Sequence, residues 1–454
     1  MKTVSRWVPL AFAVMASALL CSGAEDRVAG KVDPAVVRPL RGYVHPGIQA
    51  ATDLGPLDSA TLIPQGMLLL KPAAGLDEFL ADQQSPGSPN YHKWLTPEQY
   101  SERFGASSND TAKIVAWLES QGLRVTTVAR GRQWVSFTGS AAAAGRAFRT
   151  EFRQYRSGGR VRFANSREPS VPLALDRVVA GVHGFNNFGL KPLHRQSAVA
   201  PNFNTSSGNH YLAPGDIATI FNIAPLYAAG IDGKGQSVAI VGQTEVNLED
   251  IRAFRKRFSL PANDPEIQLF GPSPGSVPGD LEEAALDLEW SGAVAPNAHI
   301  IYVNSQDVIG SVYYAIDNSI APVISMSYGG CEAENTPDLR ILGQQANAQG
   351  ITWVVSSGDA GAAGCDFSSP TPQATKGRVA EFPSTLPEVT SIGGTTLREG
   401  DGNYWATTNK PDNSSALSYI PEVAWNDSAA RNELAATGGG ASVFYPKPFW
   451  QNAP

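Results

Sequence analysis

Two carboxylates stand four residues apart in a run that favours helix. Glu283 and Asp287 lie between Gly279 and Trp290, where Leu, Ala and Glu dominate. Four residues is about one helical turn, so both side chains project from one face of the predicted helix. Like charges there cost roughly 0.2–0.5 kcal/mol, and a paired-carboxylate site that moves a proton is one reason to keep them. A solvated acidic face is the alternative.

A parallel sheet is predicted for the part of the chain that carries this helix. Continuous apolar strands alternate with helices from Tyr211 onward, which is typical of a sheet covered on both faces. Ligands of such sheets bind beyond the carboxyl ends of the strands. Two strand ends, Ser325 to Glu332 and Ser356 to Gly361, are rich in Ser and Gly, although tight turns use the same residues. The predicted strands are 236–241, 298–303, 322–327 and 351–356, and the predicted helices include 248–258, 279–290 and 335–348.

The preceding segment, from Gly66 to about Phe188, has the mixed pattern of a small α+β domain. Met67 to Leu70 reads as a buried strand, and Gly158-Gly159 permits the tight turn of a hairpin over residues 152–163. The stretch 190–208 has few apolar residues and predicts a linker open to proteases.

Length and charge indicate an ordinary globular protein of two or three domains. The chain has 454 residues, of which 42% are hydrophobic, and a formal charge of −7. Residues 25–210 contain 21 Lys and Arg against 15 Asp and Glu, a balance of +6, whereas residues 211–454 contain 12 against 27, a balance of −15. This asymmetry predicts a basic segment held on an acidic one. No basic run or basic-aromatic repeat indicates a nucleic-acid partner.

The N-terminus has the features of an export signal. Lys2 and Arg6 precede an apolar core, Val8 to Leu20, that is too short to span a bilayer well. Small residues at 22–24 suit cleavage before Glu25, so secretion is predicted, with a lipid anchor at Cys21 as the alternative. No later stretch is apolar enough for a membrane helix.

Two cysteines remain once the signal is removed, Cys331 and Cys365. A disulfide is expected in an oxidising compartment, with two buried thiols as the alternative, and a metal site is disfavoured because no His is nearby. The six histidines are scattered, which disfavours an esterase with a Ser-His-Asp triad.

An ordered set of segments resembles the sedolisin, or serine-carboxyl, peptidases, kumamolisin-like members especially. The resemblance covers most of the exported chain. The segments that carry it are 91–100, similar to the propeptide signature; 211–216 with 221–223, similar to the start of the mature enzyme; 283–287 and the two strand ends; and 438–442 with 448–451, similar to a late catalytic segment.

This resemblance implies a subtilisin-like α/β parallel sheet, incomplete here, preceded by a small α+β, ferredoxin-like propeptide domain. It implies a signal peptide at 1–24, a propeptide or activation domain at 25–189, a linker at 190–209 where cleavage is expected, and a partial catalytic domain at 210–454.

By resemblance, Glu283 would be the general base, Asp287 would orient it, and Asp359 would be the oxyanion-hole acid. A carboxylate base works where its pKa is near the operating pH, so an acidic optimum is expected. An acid that donates to an oxyanion must stay protonated, which low pH or an apolar setting provides.

The family's nucleophile, a Ser in a Gly-Thr-Ser-Ala turn beyond residue 440, has no counterpart in this sequence. Gly393 to Thr396 has no Ser, and Ser442 matches a non-catalytic segment. The calcium site that the family implies lies further along and is also missing. A truncated sequence is therefore expected, and this chain should be unable to form an acyl-enzyme.

We therefore expect a secreted, acid-acting endopeptidase precursor with a polypeptide substrate, its own propeptide as inhibitor, and no nucleic-acid or membrane partner. The alternative is a non-catalytic secreted peptide-binding protein.

Overall fold

The structure is a computed structural model, and it describes residues 24–193, 211–335, 337–367 and 371–451. The predicted signal peptide lies outside the described residues except for its last residue, and so does most of the predicted linker. No helix within the described ranges is long and apolar enough to cross a membrane.

The N-terminal domain is a four-stranded antiparallel sheet with helices packed on one face. The strands are β1 (Val37–Pro39), β2 (Thr52–Pro56), β3 (Leu62–Leu70), β4 (Arg124–Val128), β5 (Trp134–Ser140), β6 (Phe152–Ser157), β7 (Arg160–Asn165), β8 (Ser170–Pro172) and β9 (Val179–His183), and the helices are α1 (Leu76–Gln83), α2 (Pro97–Arg103), α3 (Ser108–Ser120) and α4 (Ala141–Ala147). The main sheet has the order β4-β5-β3-β9, and its strands together with α3 and α4 follow each other along the chain as β3-α3-β4-β5-α4-β9, with α1 and α2 between β3 and α3 and the smaller strands β6 to β8 between α4 and β9. Side strands β1-β8 and β2-β6-β7 flank the main sheet.

Local sequence signals explain several of these elements. The Ser107 side chain accepts a hydrogen bond from the Asp110 N–H at 3.0 Å and so caps α3. The predicted hairpin over residues 152–163 is confirmed as β6 and β7, and Gly158 and Gly159 adopt φ of 56° and 74° at its turn.

The second domain contains a six-stranded parallel sheet, which confirms the predicted parallel sheet. Its strands are β11 (Ser237–Gly242), β12 (Glu266–Leu269), β13 (His299–Asn304), β14 (Val323–Met326), β16 (Thr352–Ser356) and β18 (Thr390–Ile392), and their order in the sheet is β12-β13-β11-β14-β16-β18. The smaller strands are β10 (Lys191–Pro192), β15 (Tyr328–Cys331), β17 (Glu381–Phe382), β19 (Thr395–Leu397) and β20 (Glu422–Ala424). The helices are α5 (Pro214–Ile220), α6 (Ala224–Ala228), α7 (Leu248–Arg257), α8 (Pro278–Val294), α9 (Val308–Asp317), α10 (Arg340–Ala348) and α11 (Ser428–Arg431).

The two domains share a buried interface, and strand β3 shows how it forms. Leu68 and Leu70 pack in the core of the N-terminal domain, whereas Met67 and Leu69 pack in the core of the second domain. Successive side chains of a strand point to opposite faces, so both faces of this sheet are covered. This double burial explains why the sequence from Met67 to Leu70 is continuously apolar.

Polar contacts add to this interface. The buried carboxylate of Asp317, at the end of α9, accepts backbone N–H groups of Arg130 and Gly131, each at 2.8 Å. The Ala348 carbonyl accepts the Leu95 N–H at 2.9 Å and the Gln83 Nε2 at 3.1 Å. The N-terminal domain is therefore docked through both side-chain packing and main-chain hydrogen bonds.

The structure corrects two boundaries that the sequence predicted. The predicted linker begins at Leu190, but Lys191 and Pro192 form β10, which pairs antiparallel with Gly329 and Tyr328 of β15. The predicted helix 335–348 starts later, because a 3₁₀ turn at Pro337–Leu339 precedes α10. The remainder of the predicted linker, from 194 on, lies outside the described residues.

Candidate active site

Helix α8 carries the carboxyl pair, as the sequence predicted. It starts with Pro278 at a first-turn position, where the missing N–H costs nothing, and Asp280 follows in the first turn, next to the positive end of the helix dipole. Glu283 is only 2% exposed and Asp287 is half-buried. The alternative of a solvated acidic face is therefore wrong for Glu283.

Two neighbouring strands of the sheet bring partners to this helix at their carboxyl ends. Ser327 directly follows β14, and its Oγ donates a hydrogen bond to Asp287 Oδ1 at 2.8 Å. The Ser327 hydroxyl also lies close enough to Glu283 to lower the pKa of that carboxyl. Asp359 follows β16 and lies close enough for its charge to raise the pKa of Glu283. The structure thus brings Glu283, Asp287 and Asp359 to one edge of the sheet, while their chemical roles stay predictions.

Glycines shape the loop that holds Asp359. Gly358 has a φ of 110°, and a Cβ there would lie 2.5 Å from Glu381 Oε1. The Gly438 N–H donates to the Gly358 carbonyl at 2.7 Å, and a Cβ on Gly438 would lie 1.9 Å from the Ser357 carbonyl oxygen. Only glycine fits at either crossing, so the Gly438–Gly440 run packs directly against the Asp359 loop.

Burial sets the protonation of the pair. Burial raises the pKa of Glu283, and the charges of Asp287, Asp359 and Asp280 raise it further, whereas the hydrogen bond with Ser327 lowers it. Burial also raises the pKa of Asp287, and its hydrogen bond from Ser327 opposes that rise. Both pKa values are raised and the two acids lie close together. The pair therefore retains a proton at acidic pH and also at higher pH.

These shifts predict that the pair makes the fold more stable in acid than at neutral pH. A carboxyl whose folded-state pKa is raised contributes stability below its unfolded pKa, near 4, and loses it as the pH rises through the folded value. We expect the wild type to lose about 2 to 3 kcal/mol between pH 4 and 7.5 relative to the Glu283→Gln, Asp287→Asn double variant. Thermal unfolding across this range measures the difference. Parallel curves for the two proteins would contradict it, and Glu282→Gln, which changes the exposed neighbour, should follow the wild type.

A strand from the N-terminal side of the chain lies beside the pair. The Leu193 N–H donates to the Ser327 carbonyl at 2.9 Å, and β10 also packs against α8. A Cβ on Gly329 would lie 2.7 Å from Leu193 Cδ1, so glycine is what allows this close approach. Strand β10 therefore adds to β15 in the way that an extended peptide adds to a sheet edge.

Gln243 holds the other end of that segment. Its Nε2 donates to the Leu190 carbonyl at 3.1 Å and to Asp280 Oδ1 at 2.8 Å, and its Oε1 accepts the Val308 N–H at 3.1 Å. Sequence reasoning assigned no role to Gln243, Asp280 or Ser327. Two signals were available: Asp280 precedes Glu283 by three residues on the same helix face, and Gln243 directly follows an apolar strand.

Ser442 is placed as a turn residue. Its Oγ donates to Glu332 Oε1 at 2.5 Å and accepts the N–H groups of Phe444 and Tyr445 at 3.0 and 2.8 Å. These bonds agree with the prediction that Ser442 is not the nucleophile, because its hydroxyl is hydrogen-bonded to Glu332 and within its own turn.

The disulfide between Cys331 and Cys365 that the sequence predicted is present near this turn. The alternative of two buried thiols is therefore wrong.

The resemblance implied calcium. Within the described ranges, no group of three or more His, Cys, Asp or Glu is arranged to hold a metal ion, and no residue of these ranges is assigned to calcium.

Comparison with known proteins matches both domains. The family model for the pro-kumamolisin activation domain matches residues 49–188. Sedolisin from Pseudomonas sp. (strain 101) is 28% identical over 408 residues, covering 85% of this chain and 66% of the relative. Xanthomonalisin from Xanthomonas sp. (strain T-22) is also 28% identical, over 439 residues, covering 85% of this chain and 51% of the relative. The chain thus spans between about half and two thirds of the length of these two relatives.

Among solved structures, Pseudomonas sedolisin, a serine-carboxyl proteinase complexed with two molecules of pseudo-iodotyrostatin, is 25% identical. It covers 53% of this chain and 65% of its own, with a TM-score of 0.41, so the assignment rests on the sequence matches. Those matches extend over most of the chain and agree with the order of its two domains. Over most of its length the chain is similar to the sedolisin family of serine-carboxyl peptidases, and its residues 49–188 match the pro-kumamolisin activation domain.

Proposed function

We propose that this chain is the precursor of a secreted, acid-acting endopeptidase whose activation domain blocks its own active site. The observation that carries the proposal is the convergence of Glu283, Asp287 and Asp359 at the carboxyl edge of the parallel sheet. We also infer a subtilisin-like catalytic domain and, from the β-α-β-β-α-β order of its main sheet, a ferredoxin-like activation domain.

The proposed chemistry divides the three acids by position. Glu283 would take the proton of a nucleophilic serine, and Asp287 would hold Glu283 in place through the shared Ser327 hydroxyl. Asp359, in the loop after the neighbouring strand, would donate a hydrogen bond from its protonated carboxyl to the oxyanion. No residue of this sequence is assigned as the nucleophilic serine. Calcium binding is proposed from the family resemblance alone.

Inhibition follows from the segment Leu190–Leu193. It occupies the edge of β15 next to the acid pair, where a peptide substrate would be expected to add as a strand. The same segment packs against α8, the helix that carries the pair, and burial is the largest cause of the raised pKa of Glu283. Removing the segment would therefore open the cleft and lower this pKa, which makes Glu283 a better base in acid.

The names of the matched relatives favour a peptidase over the peptide-binding alternative. To test the proposal, the genomic sequence past the codon for Pro454 is read, and a chain with any in-frame continuation is expressed beside the present one. We expect the longer chain to hydrolyse denatured protein at about pH 3 to 5, the range in which carboxyls titrate. A longer chain that carries a Gly-Thr-Ser turn yet shows no hydrolysis at any pH would refute the proposal.

Acid is proposed to release the activation domain, because protonation of carboxylates weakens the attraction between the +6 and −15 parts of the chain. Described ion pairs across the interface run in both directions: Arg340 with Asp77, and His183 with Asp307. Of these two pairs, His183 with Asp307 follows the overall charge asymmetry and Arg340 with Asp77 opposes it. The pair His183 with Asp307 predicts the direction in which docking changes with pH, and this direction can be tested.

Asp307 caps α9, with Oδ1 accepting the Ile309 N–H at 3.0 Å, and Oδ2 pairs with His183 of the activation domain. Burial raises the pKa of Asp307, but the charge and hydrogen bond of His183 and the Ile309 N–H outweigh it, so the net pKa is lowered. A carboxyl with a lowered pKa stabilises docking above its ordinary value, near 4, and the contribution is lost as the pH falls through the docked value. Asp307→Asn should weaken docking by about 1 kcal/mol at pH 6 and reduce its change between pH 5 and 3.

Hydrogen exchange along β9 (Val179–His183), compared between variants at the same pH, measures this effect. Asn caps helices as well as Asp does, so α9 should stay folded and the change should be confined to docking. Asp250→Asn, at the exposed first turn of α7, is the matched control and should behave as wild type. Equal exchange in Asp307→Asn and wild type at every pH would refute the role of this pair.

A further inference from the structure

Gln243 lies at the carboxyl end of a central strand of the parallel sheet. It directly follows β11, which pairs with β13 on one side and with β14 on the other. Ligands of such sheets bind beyond this end of the strands. The hydrogen bonds of the Gln243 side chain go to Asp280, to the start of α9 and to the segment Leu190–Leu193. Gln243 therefore connects the sheet to the segment that lies in the cleft.

Three partners fix the orientation of the Gln243 carboxamide. Oε1 accepts the Val308 N–H at 3.1 Å, and a backbone N–H can only donate, so the amide oxygen must lie on that side. Nε2 therefore faces Asp280 Oδ1 at 2.8 Å and the Leu190 carbonyl at 3.1 Å. Asp280 and Val308 are both buried, so they hold the amide in place. The side chain thus offers one N–H of Nε2 to a peptide carbonyl.

The segment Leu190–Leu193 shows what this N–H binds. The segment runs antiparallel to β15, and at its far end the Leu193 N–H donates to the Ser327 carbonyl at 2.9 Å. At its near end, Gln243 binds the Leu190 carbonyl while the Leu190 side chain packs in the core of the second domain. A Cβ on Gly330 would lie 3.1 Å from Leu190 Cδ2, so glycine leaves room for that side chain. The cleft therefore contacts the main chain at both ends of four residues and encloses an apolar side chain at the first.

We propose that Gln243 is a peptide-binding residue of the cleft, which donates to the main-chain carbonyl of a substrate at the position that Leu190 occupies. The substrate is then an extended polypeptide strand of at least four residues with an apolar side chain at that position. Every peptide has a carbonyl there if it is long enough, so Gln243 contributes a preference for length, and the enclosed side chain contributes a preference for sequence. The step from the bound segment to a substrate rests on the proposed function.

The first part of the test uses the full chain and needs no turnover. Gln243→Met keeps the length of the side chain but removes its donor, so amide exchange at Leu193 should become about 3- to 10-fold faster, as expected for the loss of one hydrogen bond. Gln243→Glu keeps an acceptor for the Val308 N–H but carries at most one proton, for which the Asp280 carboxyl competes, and should have the same effect. Gln306→Met is the matched control, because Gln306 is exposed and donates to the Ser273 carbonyl instead.

Exchange along β16 (Thr352–Ser356) shows whether each variant is folded. If one Gln243 variant loses this protection, the other decides, and if both lose it, Gln243 is a residue of the fold and the proposal falls. Unchanged exchange at Leu193 in a folded Gln243 variant, or an equal rise in Gln306→Met, would also overturn the proposal.

The second part uses a longer chain that hydrolyses peptides, after its activation domain has been removed. Gln243→Met should raise KM by about 3- to 10-fold, with little change in kcat, for a peptide that places a residue at the position of Leu190. For the same peptide shortened by that residue and all before it, KM should not change, and an equal rise for both peptides would contradict the proposed contact. Faster exchange at Leu193 together with a longer chain that is inactive at every pH would sustain the contact with the segment and refute the proposed function instead.

Discussion

Glu283→Gln is expected to lower kcat/KM for a peptide substrate by about 100- to 10,000-fold in a longer chain that carries the nucleophilic serine. Glutamine matches glutamate in size but cannot accept a proton at the pH of the assay, so only proton transfer is removed. Glu283 is buried and contacts Ser327, and an amide at this position preserves packing while removing one acid from the coupled pair. Initial rates on a quenched peptide at about pH 4 give the ratio.

The neighbouring Glu282 is the matched control, because it lies on the same helix but is exposed. Glu282→Gln should retain wild-type kcat/KM, and the activation domain should be removed from every variant in the same way before the assay. A Glu283→Gln enzyme with more than about a tenth of wild-type activity would exclude Glu283 as the base. The pH optimum of the wild type would then have to come from other groups.

The sequence was sufficient to predict the carboxyl pair and the sheet that supports it. Helical propensity and a four-residue spacing place Glu283 and Asp287 on one face, and this needs no knowledge of the rest of the fold. The apolar strands at 237–242, 299–304, 323–326 and 352–356 were predictable because a strand buried on both faces is apolar throughout. Once the strands are parallel, their carboxyl ends meet at one edge, which brings the Asp359 loop to the helix.

Contacts between distant segments were not predictable in this way. Ser327 is 40 residues from Asp287, and its hydroxyl could as well have capped a turn. The segment Leu190–Leu193 resembled a linker because Pro192 and its polar neighbours have no strand pattern. It forms a strand because β15 offers a free edge and because Gln243 donates a hydrogen bond to the Leu190 carbonyl. Neither feature can be predicted from the sequence of the segment itself.

The interface between the two domains was not predictable from the local sequence either. Trp134 could be identified only as an apolar residue of a strand, because nothing in the local sequence distinguishes a side chain that packs in the core of its own domain from one that packs in the core of the other domain. In the structure, β5 divides its side chains: Val135 and Phe137 enter the core of the activation domain, and Trp134 enters the core of the second domain. Trp134 is thus one anchor of the activation domain, beside Met67 and Leu69 of β3, and the other face of its strand packs in the core of the activation domain.

Trp134→Ala is expected to weaken docking of the activation domain by about 3 to 5 kcal/mol, the usual cost of removing a buried large aromatic side chain. The indole is 1% exposed and packs edge-on against Phe270 at 5.7 Å and Tyr313 at 5.9 Å between ring centroids. Alanine would leave a cavity between the domains. Hydrogen exchange of α9 (Val308–Asp317), which lies under this sheet, should rise by two to three orders of magnitude while the interior of each domain stays protected.

Phe137→Ala is the matched comparison, because Phe137 is equally buried on the same strand but packs against Phe148 and Phe185 within the activation domain. It should unfold the activation domain itself, with faster exchange in α3 and α4 as well as at the interface. Trp134→Ala should leave α3 and α4 protected, because their core lies on the other face of the sheet. If the two variants gave the same exchange pattern, Trp134 would be a structural residue of its own domain and not an anchor that holds the activation domain against the second domain.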